Sequence, residues 1–408
     1  MIYRTLTKTL HKAFKTFPAV VLTGPRQSGK TTLLKSLLKD SHAYVNLEDP
    51  DTRSRATEDP RTFLKQFNSK VIIDEIQYVP QLLSYIKSKI DDKRVPGQWI
   101  LTGSQNFALM KGVSESLAGR VAVLSLLPFS CAERIKNGEK TLNTQMLLKK
   151  IADEGQSLKN KNMMSKIILR GNYPEIASRA AVDKDLWCGS YISTFLERDI
   201  RNLSQVGDLA QFERFLRLCA TRTGCNLNIS ELAREIGISV PTAKRWLSML
   251  EASYQVFLLY PYYKNIGKRL IKSPKLYFMD TALACYLLGL RDEKTLLSSP
   301  HFPHIFETMI VIDFWKRYLN FGELPSIFYM KTRDGLEVDL VIEMNLKLYL
   351  FEIKSGATIV SKHAASLMNS KNDLKEIIKY TAIISMSEDS YPINKIVYNH
   401  SWQNILMR

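Results

Sequence analysis

Two sets of residues in this sequence carry chemistry. The first is Gly24-Pro25-Arg26-Gln27-Ser28-Gly29-Lys30-Thr31, a complete match to G-x-x-x-x-G-K-[ST]. Glycines let successive backbone N–H groups turn inward toward a polyanion, and the start of a following helix adds partial positive charge. A lysine at this spacing reaches the outer phosphates of a nucleoside triphosphate, and the next hydroxyl ligates magnesium. Gly24 to Thr31, with Thr32, are therefore predicted to hold ATP. The complement is Asp74-Glu75, which ends the β-branched run Val71-Ile72-Ile73. Asp74 is assigned with Thr31 to the magnesium shell, and Glu75 to activation of the attacking water.

The second set lies far downstream: Glu307, Asp339, Glu352 and Lys354. Glu352 and Lys354 share a face at the strand period of two, and Asp339 belongs to the preceding strand pattern. Glu307 interrupts an apolar helical stripe made by Ile310, Val311, Phe314 and Tyr318, where an unpartnered carboxylate is seldom found. Together these four positions form a candidate constellation whose resemblance to a known fold, given below, implies that the three carboxylates hold magnesium and that Lys354 steers a hydroxide.

Elements able to position the first set are legible. Apolar runs at 19–22, 44–47, 71–73, 98–101 and 121–124 read as buried strands, alternating with helical patterns. They predict a parallel, three-layer α/β sheet with ligand at the carboxyl ends of its strands. The strand at 98–101 delivers Thr102-Gly103-Ser104 to that edge, where polar side chains would sense the γ-phosphate or position the water.

Residues 136–228 read as a basic helical linker followed by a helical region with Tyr191, Phe195, Leu196, Phe212, Phe215 and Leu216 at core spacing. Between 229 and 290 comes a helix capped by Ser230, a break at Gly237, and a second helix opened by Ser239 and Pro241. This is a helix-turn-helix pattern with a wing expected at 254–259 and 275–278. Lys244 and Arg245 on the second helix, and Lys268 and Arg269 between the wing strands, are placed as phosphate contacts; docking of one domain on another is the alternative use. The remainder, 291–408, is expected to be a separate α/β domain.

The ordered segments Gly24 to Thr31, Asn46-Leu47-Glu48-Asp49-Pro50, Asp74-Glu75-Ile76-Gln77, Thr102-Gly103-Ser104 and Leu117-Ala118-Gly119-Arg120 resemble a prokaryotic family of AAA-type ATPases with a carboxyl-terminal domain of uncertain function. The resemblance implies a P-loop ATPase domain over 1–135. It also implies that Ser104 is similar to the polar sensor, and that Arg120 is similar to an arginine completing its own or a neighbour's site, with a plain ion pair as the alternative. The set Glu307, Asp339, Glu352, Lys354 resembles the PD-(D/E)XK restriction-endonuclease-like fold, which implies metal-dependent action on DNA.

Composition bounds the rest. At 408 residues, two or three domains are expected. The 57 Lys and Arg against 40 Asp and Glu give a formal charge of +17, a field that attracts polyanions such as DNA. Five scattered cysteines with no C-x-x-C pair argue against a zinc site or a disulfide framework and point to the cytoplasm. No membrane span is expected, and self-assembly stays open. Two functions follow: an ATP-hydrolysing protein acting on DNA with a magnesium-dependent nuclease end, or an ATP-dependent regulatory switch whose end binds nucleic acid or protein without cutting.

Overall fold

The computed structural model describes residues 2–67, 69–103, 113, 116–153, 164–200, 208–263, 273–331, 337–373 and 377–408, apart from the side chains of 198, 199, 372 and 373. The amino-terminal sheet contains β1 (Ala19–Thr23), β2 (Ala43–Asn46), β3 (Val71–Asp74), β4 (Trp99–Thr102) and β5 (Val121–Ser125). They run in the order β2-β3-β4-β1-β5, every pair parallel. Side-chain alternation fills both faces. Val20, Leu22, Ile72 and Ile100 pack on Leu6, Leu10, Leu33 and Leu34. Ala19, Val21, Val71, Ile73, Trp99 and Leu101 pack on the other side against Phe63, Leu82 and Ile86. A sheet covered on both faces needs continuously apolar strands, which is why these runs were readable.

The middle of the chain has its own core, with Tyr191, Phe195, Phe212, Phe215 and Trp246 buried together. The helices Ile229–Ile236 and Val240–Ala252 flank Gly237, whose φ of 75° ends the first of them. The cap of that first helix is Asn228, which accepts from the Glu231 amide at 3.2 Å, so the helix begins earlier than a Ser230 cap would place it. A three-stranded sheet accompanies the pair, formed by β6 (Cys225–Asn226), β7 (Val256–Leu259) and β8 (Lys275–Phe278) in the order β6-β8-β7. Tyr254 stands outside β7 because its φ of 58° breaks the extended run.

The last sheet is mixed: β9 (Ile327–Lys331), β10 (Glu337–Met344), β11 (Lys347–Lys354), β12 (Ile378–Ser385), β13 (Tyr391–Pro392) and β14 (Tyr398–Ser401). Its order is β13-β14-β12-β11-β10-β9. The β10–β11 pair is antiparallel, as expected, closed by Asn345 and Leu346, both at positive φ. That is the signature of a two-residue turn whose twist matches the strands.

Through the centre runs the helix Phe302–Asn320, with fifteen of its nineteen residues buried. An apolar stripe on one side would suffice for a surface helix, whereas this one is enclosed nearly all round. Its Asp313 accepts from the Cys131 amide at 2.7 Å, Lys316 donates to the Phe129 carbonyl at 3.0 Å, and its Asn320 carbonyl accepts from Thr9 at 2.9 Å. Among the described residues no helix is long and apolar enough to cross a membrane. All five cysteines are unpaired thiols.

Candidate functional site

The P-loop leaves the carboxyl end of β1 and enters the helix Lys30–Leu38. Gly24 adopts φ 139°, and a Cβ there would stand 2.1 Å from the Leu126 carbonyl oxygen, so a side chain is excluded by both conformation and space. Lys30 is buried, and its ammonium donates to the Gly24 and Pro25 carbonyls, each at 2.9 Å.

Asp74, at the end of β3, is surrounded by hydroxyl donors. Thr31 and Tyr44 donate to its Oδ2 at 2.8 and 2.7 Å, and Thr102 donates to its Oδ1. Burial first, and then the bond to Asp74, push the Tyr44 phenol well above its ordinary range, so it stays a donor. Thr102 also accepts from the Glu75 amide at 3.2 Å, tying the two acidic residues to one strand end. Glu75 sits at φ 56°, an uncommon conformation for a non-glycine residue, and its Oε2 accepts from Gln77. Non-glycine residues in this region concentrate at functional sites.

A cavity of about 350 Å³ opens here, bordered by Arg26, Lys30, Thr31 and Glu75. Its far wall is formed by Tyr191, Thr194 and Phe195 of the middle region. Phe195 begins a widened helical turn, Phe195–Ile200, continuing the helix Lys184–Thr194. Such turns often occur at functional sites.

Two supports were not foreseen. Arg4 is buried and donates to the Ser28 carbonyl at 2.9 Å and the Leu127 carbonyl at 2.5 Å, with Glu133 at 3.3 Å, so it braces the P-loop from behind. Tyr254 forms a hydroxyl triangle with Thr23 at 2.9 Å and Ser125 at 3.0 Å, one residue before Gly24. Neither has a sequence signature, because both act across long separations.

Arg120 needs correction as a residue completing its own site. Its carbonyl bonds the Ala19 amide, and Val121 aligns with Ala19, so it lies at the amino-terminal edge of the sheet. The P-loop leaves the opposite edge, five strand residues away, on the order of 15 Å. Arg120 instead grips Asp91 with two bonds of 2.6 and 3.0 Å. Ser104, Lys268 and Arg269 lie outside the described residues. Lys244 and Arg245 are exposed on the helix Val240–Ala252.

The downstream set converges in space, but with an addition. Lys275 at the start of β8 is only 2% exposed and reaches Glu307 at 3.0 Å, Glu337 at 2.6 Å and Asp339 at 3.3 Å. Burial pulls the ammonium toward neutrality, but Glu307, Asp339 and Glu337 outweigh it and hold the lysine charged. Tyr277 donates to Glu307 at 2.6 Å, and Asp339 accepts from the Ile353 amide at 2.9 Å. Lys354 donates to Glu352 at 2.5 Å. Burial, then repulsion from Asp339, raises the pKa of both Glu307 and Glu352. Among the described residues no three His, Cys, Asp or Glu side chains are arranged to hold a metal ion. The expected metal-holding arrangement of Glu307, Asp339 and Glu352 is thus not formed; two of them are instead bridged by Lys275, from another sheet.

The sequence pattern of the AAA domain matches residues 16–135. Two domains of unknown function, DUF8612 and DUF4143, match 161–294 and 302–404. Together with the parallel sheet and the P-loop geometry, they define the class: an AAA-type ATPase domain followed by two domains without an assigned role. The chain is 30% identical over 394 residues to the uncharacterized protein Rv2008c of Mycobacterium tuberculosis, covering 96% of this chain and 81% of that one. It belongs to the same family. It is also 26% identical over 341 residues to the uncharacterized protein MJ1544 of Methanocaldococcus jannaschii, covering 79% of this chain and 71% of that one. Among solved structures, the Walker-type ATPase PABY2304 of Pyrococcus abyssi is similar over 71% of this chain and 96% of that one, at 14% identity and a TM-score of 0.45. DnaA of Aquifex aeolicus, bound to AMPPCP, is similar over 60% of this chain and 85% of that one, at 14% identity and a TM-score of 0.29.

Proposed function

We propose that this chain hydrolyses ATP with magnesium. The carrying observation is the joint placement of Lys30, Thr31, Asp74 and Glu75, with Glu75 on the wall of the cavity beside the P-loop. The donor set fits magnesium: a hydroxyl and a carboxylate oxygen 2.8 Å apart are both hard oxygen ligands. Thr31 and Asp74 would hold the ion, which supplies charge neutralisation at the outer phosphates. Lys30 exchanges its two loop carbonyls for phosphate oxygens, and Glu75, kept in place by Gln77 and the Thr102 bond, orients and deprotonates water. The test is phosphate release and bound nucleotide measured together. Lys30→Ala is expected to lose both, and Glu75→Gln to keep bound ATP without turning it over. Undiminished turnover by Glu75→Gln overturns the assignment.

A second reading concerns the rest of the chain, and the convergence of Glu307, Asp339, Glu352 and Lys354 favours it. The DUF4143 region acts on DNA as a nuclease-like module. The exposed Lys244 and Arg245, on a helix-turn-helix with a β-ribbon in winged-helix order, supply phosphate contacts, and the charge of +17 draws DNA in. The regulatory switch is the rival, in which the module binds without cutting. DNA binding and cleavage assayed across ATP and metal conditions separate them: binding with no cleavage in any condition selects the switch. Arg120 can contribute only to another copy's nucleotide; turnover that falls on dilution would report such an assembly.

A further inference from the structure

The helix Val240–Ala252 ends in a conformation that its residue type opposes. The Tyr254 amide donates to the Glu251 carbonyl at 3.0 Å and the Gln255 amide to the Leu250 carbonyl at 2.8 Å, with Tyr254 at φ 58°. This pair of bonds is the Schellman cap, whose left-handed position usually falls to glycine. The preceding helix closes in the same way, through Gly237 at φ 75° and Ile238. A tyrosine there bears a steric cost that glycine avoids, and such strain persists where the surroundings fix the residue.

Those surroundings are the two walls of the nucleotide cavity. Tyr254 is buried, and its hydroxyl meets Thr23 at 2.9 Å and Ser125 at 3.0 Å, at the ends of β1 and β5 beside the P-loop. Gln255, also buried, donates to the hydroxyl of Tyr191, on the far wall, at 3.2 Å. Tyr191 shares a second bond of 2.7 Å with Tyr173. The residue after Tyr173, Pro174, lies against the P-loop, since a Cβ on Gly29 would stand 3.8 Å from its ring. Adjacent residues of one turn thus hold the stem of the P-loop and the wall opposite it.

We propose that Tyr254 and Gln255 are positioning residues for ATP: a two-residue spacer that sets the gap between the P-loop and the wall of Tyr191, Thr194 and Phe195. The inference rests on the ATP reading above and adds that the DUF8612 region supplies part of the nucleotide site. Tyr254 acts through Thr23, which immediately precedes Gly24, and Gln255 acts through Tyr191. A misplaced P-loop loses contacts that ATP makes before and during reaction alike, so the spacer governs KM more than kcat.

The experiment uses the full chain and measures binding of magnesium-ATP together with KM and kcat for phosphate release. Tyr254→Phe keeps the ring and leaves Thr23 and Ser125 bonded to each other at 3.0 Å, so the fold is expected to survive. Gln255→Met keeps the length of the side chain and removes its donor. Each is expected to weaken ATP binding and raise KM roughly two- to tenfold, with kcat changed by less than about twofold. If one of them melts without cooperativity, the other carries the test. Thr308→Val is the control: it deletes a buried hydroxyl contact of 2.9 Å with Thr223, outside the cavity lining. It should lower the melting temperature to a similar degree and leave KM unmoved. Unchanged KM in the spacer variants of an active enzyme overturns the spacer, and so does an equal rise in Thr308→Val. A wild type that neither binds nor hydrolyses ATP removes the ATP reading itself, and the spacer falls with it.

Discussion

The chain has two acidic centres built from similar residues and balanced in opposite ways. At the P-loop, Asp74 is held by three neutral hydroxyls, from Thr31, Tyr44 and Thr102, beside an open cavity. Hydroxyls stabilise a carboxylate without cancelling its charge, so that centre keeps its attraction for a cation from solution. At the downstream centre, Glu307 and Asp339 are held by an ammonium from within the chain. The first is arranged to receive a charge and the second already carries one. Residue type alone therefore says little about metal binding; the charge of the partners decides it.

Several changes would break or sharpen this contrast. The largest expected effect is at the open centre: Glu75→Gln should cut ATP turnover by about 10²–10⁴-fold, read as steady-state phosphate release with nucleotide binding retained. Next, Lys275→Met should destabilise the chain by about 3–5 kcal/mol in denaturant titration without metal, because it strands buried carboxylates. An equally stable variant would mean that the downstream centre does not depend on its own cation.

The third prediction is a pH dependence. Burial and Asp339 push the Glu352 carboxyl up to about 8. Between the ordinary carboxylate range and that value the folded chain binds a proton that the unfolded chain has released. The contribution of Glu352 to stability therefore falls as pH rises across that window. Glu352→Gln should flatten the slope between about pH 5 and 8, checked by melting temperature against pH. A slope identical to wild type removes Glu352 from the account. Smaller still, Tyr44→Phe should cost about 0.5–1.5 kcal/mol of stability by deleting one donor to Asp74. Last, Lys244→Ala with Arg245→Ala should leave stability within about 0.5 kcal/mol, both being exposed, while lowering the salt slope of any DNA binding by about one per lost phosphate contact.

Local chemistry was legible and long-range chemistry was not. Strands such as Ala19–Thr23 and Val71–Asp74 declare themselves because burial on both faces demands unbroken apolar runs, and the P-loop declares itself because its glycines are dictated by backbone geometry. Glu307 was conspicuous as a charge in an apolar stripe. Its partner Lys275 was not, since a lysine entering a strand looks like a surface residue until the other sheet closes over it. Arg4, Tyr44 and Tyr254 escaped for the same reason. Arg120 fits its ion-pair reading, bonding Asp91; its motif could not decide this, since a motif gives a residue type and spacing while the edge of a parallel sheet on which it falls depends on strand direction. Ser230 misled as a cap because Asn228, two residues earlier, offers an equally suitable side-chain oxygen.

The central helix Phe302–Asn320 has a consequence for how such a chain can be inherited. Its amino-terminal half meets Lys275 of the middle region, and its later turns bond Cys131, Phe129 and Thr9 of the ATPase region. Sequence boundaries divide the protein between 294 and 302, yet the polar groups on this helix are matched to partners on the far side of that boundary. Exchange of the last segment between lineages would leave Asp313, Lys316 and Glu307 facing strangers in a buried setting. The three segments are thus expected to travel together through evolution as one unit, and recombinants joined near residue 300 should be recovered far less often than those joined within exposed loops.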